Sequence, residues 1–234
     1  MSRFVIEDSF WEIFPEAAFA VILAKGIDNE GDNPKARALL DEACLDAKKY
    51  LVAEQTSQNP VVAVWREAFS KFKTKKGVRS SIEALLKRID KGVGVGPINP
   101  VVDLYNAVSL RYGLPSGVED LDTFIGDLRL TVTAGGDDFL ALGDPSPDPT
   151  LAGEVCYLDD VGAVCRCWNW RDGQRTMATE KTKNAFMIIE CVDPARVDAL
   201  RAAMEELAKG VREVLGGTVA AAKIMTKDDA VIEL

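Results

Sequence analysis

Three sets of polar residues have types and spacings that could do chemistry. Asp103 and Asn106 are three apart in a predicted helix, which puts a carboxylate and an amide on one face. Glu190 lies inside the apolar run FMIIECV, where a buried carboxylate must either be paired or have a chemical role. Carboxylates and amides can orient a water, accept its proton and stabilise a developing charge. The alternatives are a solvent-facing asparagine and a solvated glutamate at a sheet edge.

The third set is the segment WNWRDG at residues 168–173, where two tryptophans stand beside an amide and a guanidinium. Aromatic rings together with Asn169 and Arg171 are typical of a recognition loop. The alternative is a strand end that is covered by surface tryptophans. Both interpretations place the segment at the end of a predicted strand.

The chain contains no histidine, and this restricts the chemistry further. The absence excludes Ser-His-Asp and Cys-His catalysis, His-ligated metals and a histidine proton shuttle. The five cysteines form no Cys-x-x-Cys pair, so we expect no zinc knuckle or redox motif but reduced, partly buried thiols. Acid–base chemistry must therefore come from carboxylates, tyrosine, lysine, cysteine or an oriented water, and no metal or cofactor is expected.

The composition is typical of a soluble globular protein, with 234 residues of which 47% are hydrophobic and 28% charged. The longest uncharged apolar run, AAFAVILA, has eight residues, whereas a membrane span needs about 20. Acidic residues near the start of the sequence do not fit a signal peptide. We therefore expect a cytoplasmic location and no membrane partner.

The charge of the chain is unevenly distributed. Residues 65–91, here called the basic segment, hold nine basic and three acidic residues, a net charge of +6. Since the whole chain carries −9, the remainder carries −15. Such a chain can bind a polyanion locally and repel it elsewhere, which argues against a general nucleic-acid coat. The alternative is that the basic residues form two solvated helix faces.

Helices must position the first polar set. Asparagine–proline pairs predict helix starts, because asparagine caps the helix and proline fits its first turn. These pairs lie at residues 33–34, 59–60 and 99–100. Ser80 and Glu83 are spaced as a capping box, which predicts a further helix to about residue 90. Gly113 is expected to end the helix that carries Asn106.

Strands must position the other two sets. From about Asp127 the apolar period changes from helical to two, which predicts strands. The segment NAFMIIECV is typical of a buried strand and carries Glu190. An apolar stripe over residues 197–215 predicts a last helix, and TVAAAKIM predicts a final strand. With two short strands predicted in the first 30 residues, the order indicates one α+β domain over residues 1–234.

The segment GPINPVVDLYNAVSLRYGLPSGVEDLD at residues 96–122 resembles the editing pocket of the phenylalanyl-tRNA synthetase beta subunit, in its B3/4 domain. That family has an Ile-Asn-x-Val-Val-Asp segment, an asparagine three residues after the aspartate, a Gly-x-Pro motif and a later aspartate. The matching residues here are Ile98, Asn99, Val101, Val102, Asp103, Asn106, Gly113, Pro115 and Asp120. The motif is specific because many positions match in order without a gap.

Residues 153–194 are similar to the second half of the same pocket, with a short gap. There the family has a strand, a polar loop, a Thr/Glu-rich turn and an apolar strand that ends in glutamate. The segments WREAFSKF, RSSIEALLKR and WNWRDGQRT resemble free-standing relatives of that domain rather than the synthetase. The resemblance implies an α+β fold: a single three-layer domain of the B3/4 type, with mixed sheets and flanking helices. Residues 1–95 would supply N-terminal strands and helices, 96–194 the pocket-forming core, and 195–234 the C-terminal helix and strand.

The resemblance also implies a pocket that hydrolyses mischarged tRNA. Asn106 and Glu190 would be its catalytic residues, with Glu190 holding the substrate ammonium group or positioning a water. The implied substrate-binding residues are Tyr105, Asp103, Ser116, Gly117, Asn169, Arg171 and Gly173. Phosphates of the acceptor end would be held by Lys73, Lys75, Lys76 and Arg79.

One position departs from the family, because Gly117 stands where its pocket has a histidine. We therefore expect a wider pocket floor and a preference for an amino acid other than tyrosine. The leading hypothesis is a tRNA-binding protein that deacylates mischarged aminoacyl-tRNA in trans. The alternatives are a non-catalytic tRNA-binding module and a pocket for a free amino acid-like metabolite. The expected partner is tRNA or aminoacyl-tRNA, and not DNA.

Overall fold

The computed structural model describes residues 2–234 as two β-sheets and a set of helices. The helices are α1 (Asp8–Ile13), α2 (Pro34–Asp46), α3 (Pro60–Phe69), α4 (Ser81–Asp90), α5 (Pro100–Tyr112) and α6 (Val197–Glu213). The strands are β1 (Arg3–Ile6), β2 (Ala18–Lys25), β3 (Ser116–Asp120), β4 (Leu128–Val132), β5 (Val155–Asp159), β6 (Gly162–Arg166), β7 (Arg171–Asp172), β8 (Asn184–Cys191), β9 (Thr218–Met225) and β10 (Val231–Glu233).

The strands form a six-stranded sheet A, in the order β10-β1-β4-β5-β6-β7, and a four-stranded sheet B, in the order β3-β8-β2-β9. Strands β1 and β4 pair in parallel, whereas the other neighbours in sheet A and all of those in sheet B are antiparallel. Sheet A is therefore mixed and sheet B antiparallel. The predicted α+β architecture with flanking helices is confirmed.

Alternation along β8 divides the hydrophobic core into two layers, because successive side chains point to opposite faces of a strand. Phe186 and Ile188 pack in the layer that also holds residues from sheet A. Met187 and Ile189 pack in the second layer, with apolar residues of α5 and α6. Glu190 has the same parity as Phe186 and Ile188, so its side chain points between the two sheets.

Two of the three predicted asparagine caps are confirmed. The side-chain oxygens of Asn33 and Asn99 accept backbone N–H groups from the first turns of α2 and α5. Asn59 precedes α3 as predicted, but its side-chain oxygen accepts the N–H groups of Val52 and Ala53 at 2.7 and 2.9 Å. It therefore holds the preceding loop rather than the first turn of the helix.

The predicted capping box of α4 is only half formed. The Ser80 hydroxyl accepts the backbone N–H of Glu83 at 3.4 Å, so Ser80 is the N-cap. The buried carboxylate of Glu83 does not return to Ser80 but forms an ion pair with Arg66 of α3. A contact between two helices thus replaces the local hydrogen bond.

Trp168 is fully buried, so the alternative of a surface tryptophan is wrong for this residue. Its ring centroid lies 4.7 Å from that of Phe14, 4.9 Å from Phe10 and 5.0 Å from Trp65. The backbone turns into the core here through two consecutive left-handed residues, Cys167 with φ 46° and Trp168 with φ 63°. Such angles are uncommon outside glycine, and the burial of the large ring stabilises them.

Neither a candidate membrane span nor a disulfide occurs among residues 2–234. No helix there is both long and apolar enough to cross a bilayer. All five cysteines are free thiols, and four of them are buried. The expectation of reduced, partly buried cysteines agrees with this arrangement.

Candidate functional site

A cavity of about 250 Å³ lies between the two sheets and opens to solvent. Sheet A lines it through β4, β5, β6 and β7, and sheet B through β3 and β8. Helix α4 contributes Ser81, Ala84 and Leu85, and α5 contributes Tyr105 and Asn106. Pockets for drug-sized ligands measure roughly 300–1,000 Å³, so this cavity suits a group the size of one amino acid.

Glu190 lies inside this cavity with 1% of its surface exposed. The Tyr157 hydroxyl donates to Oε1 of Glu190, and the Asn169 side-chain amide donates to Oε2. The backbone is also held, because the Glu190 N–H donates to the carbonyl oxygen of Pro115 at 3.0 Å. Each carboxylate oxygen therefore has one protein donor, and a second lone pair on each can still accept a hydrogen bond.

Burial raises the pKa of Glu190 to about 7. The hydrogen bonds from Tyr157 and Asn169 favour the ionised form and so limit the rise. A carboxylate with a pKa near neutrality can both accept and return a proton at physiological pH. The site thus contains an acid–base group without any histidine.

The raised pKa predicts that Glu190 makes the folded protein less stable as the pH rises. The folded state binds this proton more tightly than the unfolded chain, whose glutamate has a pKa of 4.5. The stabilisation is complete below about pH 4.5 and is lost as the pH rises through about 7. The unfolding free energy should fall between about pH 5 and 8 in the wild type. In Glu190→Gln this fall should be smaller by roughly 2 to 3 kcal/mol.

Denaturant unfolding across this pH range measures the effect, with the exposed Glu180 replaced by glutamine as the matched control. The control should keep the wild-type pH dependence. Burial also raises the pKa values of Glu119 and Asp172, so part of the slope should remain in Glu190→Gln. An unchanged slope in Glu190→Gln would contradict the assignment of the raised pKa to this residue.

Asn106 and Tyr105 extend from α5 into the cavity lining as predicted. Within residues 2–234, no hydrogen bond satisfies the side-chain amide of Asn106, although the residue is only 6% exposed. Burial raises the pKa of Tyr105, so its hydroxyl stays protonated. Both side chains are therefore able to donate a hydrogen bond to a group in the cavity.

Ser116 and Gly117 line the cavity from β3. The Ser116 hydroxyl donates to the carbonyl oxygen of Ile188 at 3.0 Å, so it is already used within sheet B. A Cβ atom at Gly117 would meet only the Ile188 side chain, at 3.8 Å. The absence of a side chain at Gly117 therefore leaves space on this side of the cavity.

Three predicted substrate-binding residues do not line the cavity. Asp103 lies on the same helix as Asn106, but its Oδ1 accepts the N–H of Ile98 at 2.8 Å and fixes the loop before α5. Arg171 forms a two-pronged ion pair with Asp144, at 2.9 and 3.2 Å.

Gly173 has a structural use in the sheet. Its N–H donates to the Val164 carbonyl at 2.8 Å, and a Cβ there would lie 3.1 Å from that oxygen. Asp103, Arg171 and Gly173 are thus used in backbone and ion-pair contacts outside the cavity lining, and their contact with a substrate stays a prediction.

The predicted phosphate-binding residues do not line the cavity and lie in the segment that precedes α4 in the sequence. Lys75 forms an ion pair with Asp148, so its charge is partly compensated. Lys73, Lys76 and Arg79 form no ion pair with any residue that the structure describes. Arg79 is two residues before Ser81, which lines the cavity, so the uncompensated charges begin next to the lining.

The sequence analysis missed Tyr157 of β5, which donates to Glu190, and two acidic cavity residues, Glu119 of β3 and Asp172 of β7. Burial raises the pKa of both carboxyl groups. Glu119 could have been predicted from its spacing, because a residue two places after Gly117 lies on the same face of a strand as Gly117. Asp172 lies within the WNWRDG segment, but only the pairing of β7 with β6 turns it to the cavity.

Comparison with known proteins connects this fold to one family. The family model of the B3/4 domain matches residues 64–213. The phenylalanine–tRNA ligase beta subunit of Fusobacterium nucleatum is 28% identical over 120 residues, which are 51% of this chain and 15% of that protein. The same subunit of Xanthomonas oryzae pv. oryzae is 32% identical over 104 residues, or 44% of this chain and 13% of that protein.

The fold is also similar to a solved structure, an N-terminal fragment of the phenylalanyl-tRNA synthetase beta subunit from Pyrococcus horikoshii. The TM-score is 0.51 at 12% sequence identity, and the match covers 98% of this chain and 53% of that one. The chain thus covers only a small part of the full-length relatives. Since the family model spans well over half of its residues, the chain belongs to the B3/4 domain family.

Proposed function

We propose that this protein binds aminoacyl-tRNA and hydrolyses the ester bond of a mischarged amino acid. The observation that carries the proposal is a buried glutamate with a pKa near 7 inside an amino-acid-sized cavity, which is lined on one side by helix α4 of the basic segment. The relatives named above are beta subunits of a tRNA ligase, which supports tRNA as the partner.

The chemistry needs an oriented water rather than a protein nucleophile, because an aminoacyl ester is already activated. Glu190 accepts the proton of this water through a free lone pair, while Tyr157 and Asn169 hold its carboxylate in place. The unused amide of Asn106 donates to the oxyanion that develops on the ester carbonyl. The leaving group is the terminal ribose hydroxyl, which takes up the proton from Glu190.

The position of the basic segment suits the rest of the substrate. Helix α4 lines the cavity on one side and carries Lys87 and Arg88, and Arg79 lies just before it. Phosphates of an acceptor end that enters the cavity would pass these cations. The strongly acidic remainder of the chain repels RNA, which limits binding to this side.

Reversing the charges of Lys73, Lys76 and Arg79 to glutamate should abolish tRNA binding. If the wild type contacts three to five phosphates, its affinity should fall roughly 20- to 130-fold between about 50 and 200 mM salt. Lys75 is left unchanged because Asp148 already pairs with it. Filter binding or fluorescence anisotropy with an unmodified tRNA measures both effects.

The matched control reverses the same number of charges at Lys35, Lys209 and Lys227, which are exposed and do not line the cavity. This control should bind tRNA nearly as well as the wild type. Equal losses in the two variants would indicate a non-specific effect of net charge. Unchanged binding in the first variant would mean that RNA contacts another surface.

A pocket that binds a free amino acid-like metabolite is the second candidate. It is favoured by the three carboxylates that line the cavity, because no lysine or arginine among residues 2–234 joins them in the lining. A panel of mischarged tRNAs, followed for loss of the ester bond, tests the first candidate. Hydrolysis of at least one substrate supports it, whereas ligand-induced stabilisation by free amino acids without any hydrolysis favours the second.

A further inference from the structure

Glu119 and Asp172 line the cavity that holds Glu190, yet the proposed hydrolysis uses neither of them. Glu119 is only 6% exposed, and its Oε2 has no hydrogen-bond partner within residues 2–234. Neither carboxylate forms an ion pair with a lysine or arginine of the described chain. Buried carboxylates are normally paired or coordinated, and Arg175, whose charge lowers the pKa of Glu119, already forms its ion pair with Asp159.

The missing partner fits a ligand rather than a metal ion. No group of three or more His, Cys, Asp or Glu side chains within residues 2–234 is arranged to hold a metal. The cavity is also lined by five aromatic residues, which are Tyr105, Tyr157, Trp168, Trp170 and Phe186. Aromatic faces beside carboxylates suit an organic cation, which gains both ion pairing and cation–π contact.

The backbone of β3 leaves room for such a group. Gly117 and Glu119 are two residues apart and share one face of the strand, opposite Ile188 and Phe186 of β8. A Cβ at Gly117 would have only one neighbour within 4 Å, the Ile188 side chain. A substrate side chain can therefore lie over Gly117 with its end beside Glu119.

On the basis of the proposed function, we infer that Glu119 and Asp172 select an aminoacyl group whose side chain ends in a protonated amine, as in lysine or ornithine. The amine lies between these two carboxylates, and its methylene chain passes over Gly117. Glu190 is left to act at the ester. The two acidic residues are thus specificity residues, separate from the group that handles the water.

The test compares one tRNA charged either with lysine or with norleucine, which has a similar chain without the amine. The wild type should hydrolyse lysyl-tRNA with a kcat/KM roughly tenfold or more above that of norleucyl-tRNA. Glu119→Gln and Asp172→Asn should each bring this ratio towards one. Because the ratio compares two substrates on one variant, a general loss of activity cancels. Exposed Glu180→Gln is the control and should keep the wild-type ratio.

Gly117→His provides an independent variant, because it fills the proposed path without removing a charge. It should lower kcat/KM for lysyl-tRNA more than for alanyl-tRNA, whose side chain does not reach this far. Hydrolysis of norleucyl- and lysyl-tRNA at equal rates would overturn the inference and leave the proposed function intact.

A binding measurement separates the two proposals if no tRNA is hydrolysed. Calorimetry with lysine methyl ester and norleucine methyl ester tests the cavity without RNA. Tighter binding of the lysine ester, lost in Glu119→Gln, would retain the cation preference while the hydrolytic function fails. Equal or absent binding of the two esters would overturn the inference.

Discussion

Replacing Glu190 is expected to slow ester hydrolysis by roughly ten- to a thousandfold. In the proposed reaction this carboxylate accepts the proton of the attacking water, and no histidine in the chain can substitute for it. Glu190→Ala removes the acceptor, and Glu190→Gln keeps the shape without the base. Single-turnover deacylation of the best substrate from the mischarged panel measures the loss for both variants.

Stability must be measured on the same variants, because Glu190 is buried and hydrogen-bonded. Removal of a merely structural carboxylate would change the unfolding free energy by a few kcal/mol, on the order of the cost of orphaned buried partners. Asn106→Ala should lose activity over the same range with little loss of stability, since its side chain has no hydrogen-bond partner in the described chain. Full activity in all of these proteins would remove the site assignment.

The pH–rate profile of Tyr157→Phe distinguishes a residue that positions Glu190 from one that only supports the fold. The Tyr157 hydroxyl donates to Glu190, and this bond lowers the pKa of the carboxyl group. Its loss should shift the rise of the pH–rate profile to higher pH, while a purely structural Tyr157 would lower the rate equally at every pH. Tyr157 therefore acts as a positioning residue for Glu190.

Replacing Arg166 by methionine is expected to cause the largest loss of stability, about 3–5 kcal/mol. Both Arg166 and Glu154 are fully buried, and two hydrogen bonds of 2.9 and 2.6 Å join them. Arg166 also donates to the Asp148 carbonyl at 2.5 Å. Its removal leaves the Glu154 carboxylate buried without a positive partner. For a chain of this size the loss corresponds to a fall in Tm of roughly 6–20 °C.

A second substitution, at Glu154, distinguishes the cost of an unpaired buried charge from a simple loss of packing. The double variant Arg166→Met/Glu154→Leu removes both charges and should recover much of the stability, because apolar residues can replace a buried ion pair. The exposed Arg201→Met is the control and should stay close to the wild type. A single Arg166→Met variant within about 1 kcal/mol of the wild type would contradict the importance of this pair.

The elements that the sequence predicted well are those with local signals. Asn99 caps α5 and Gly113 ends it in a left-handed conformation, as expected from their types and spacing. Strand β8 follows from its unbroken apolar run. Strand β3, in contrast, has the polar sequence SGVED and was not predicted. It is a strand because it pairs with β8, and this partner lies about 70 residues further along the chain.

Residue types and spacings within short segments were enough to predict the family, the fold class and the place of Glu190 in an apolar strand, but they left open whether its carboxylate is buried or solvated at a sheet edge. The burial of this carboxylate and the groups that lie beside it depend on how the two sheets pack. Asp103 accepts a hydrogen bond from the loop before α5 and does not line the cavity, whereas Glu119 and Asp172 do line it. This is because β3, β7 and β8 carry Glu119, Asp172 and Glu190 from distant segments, and the register and burial of these strands arise only when the two sheets pack.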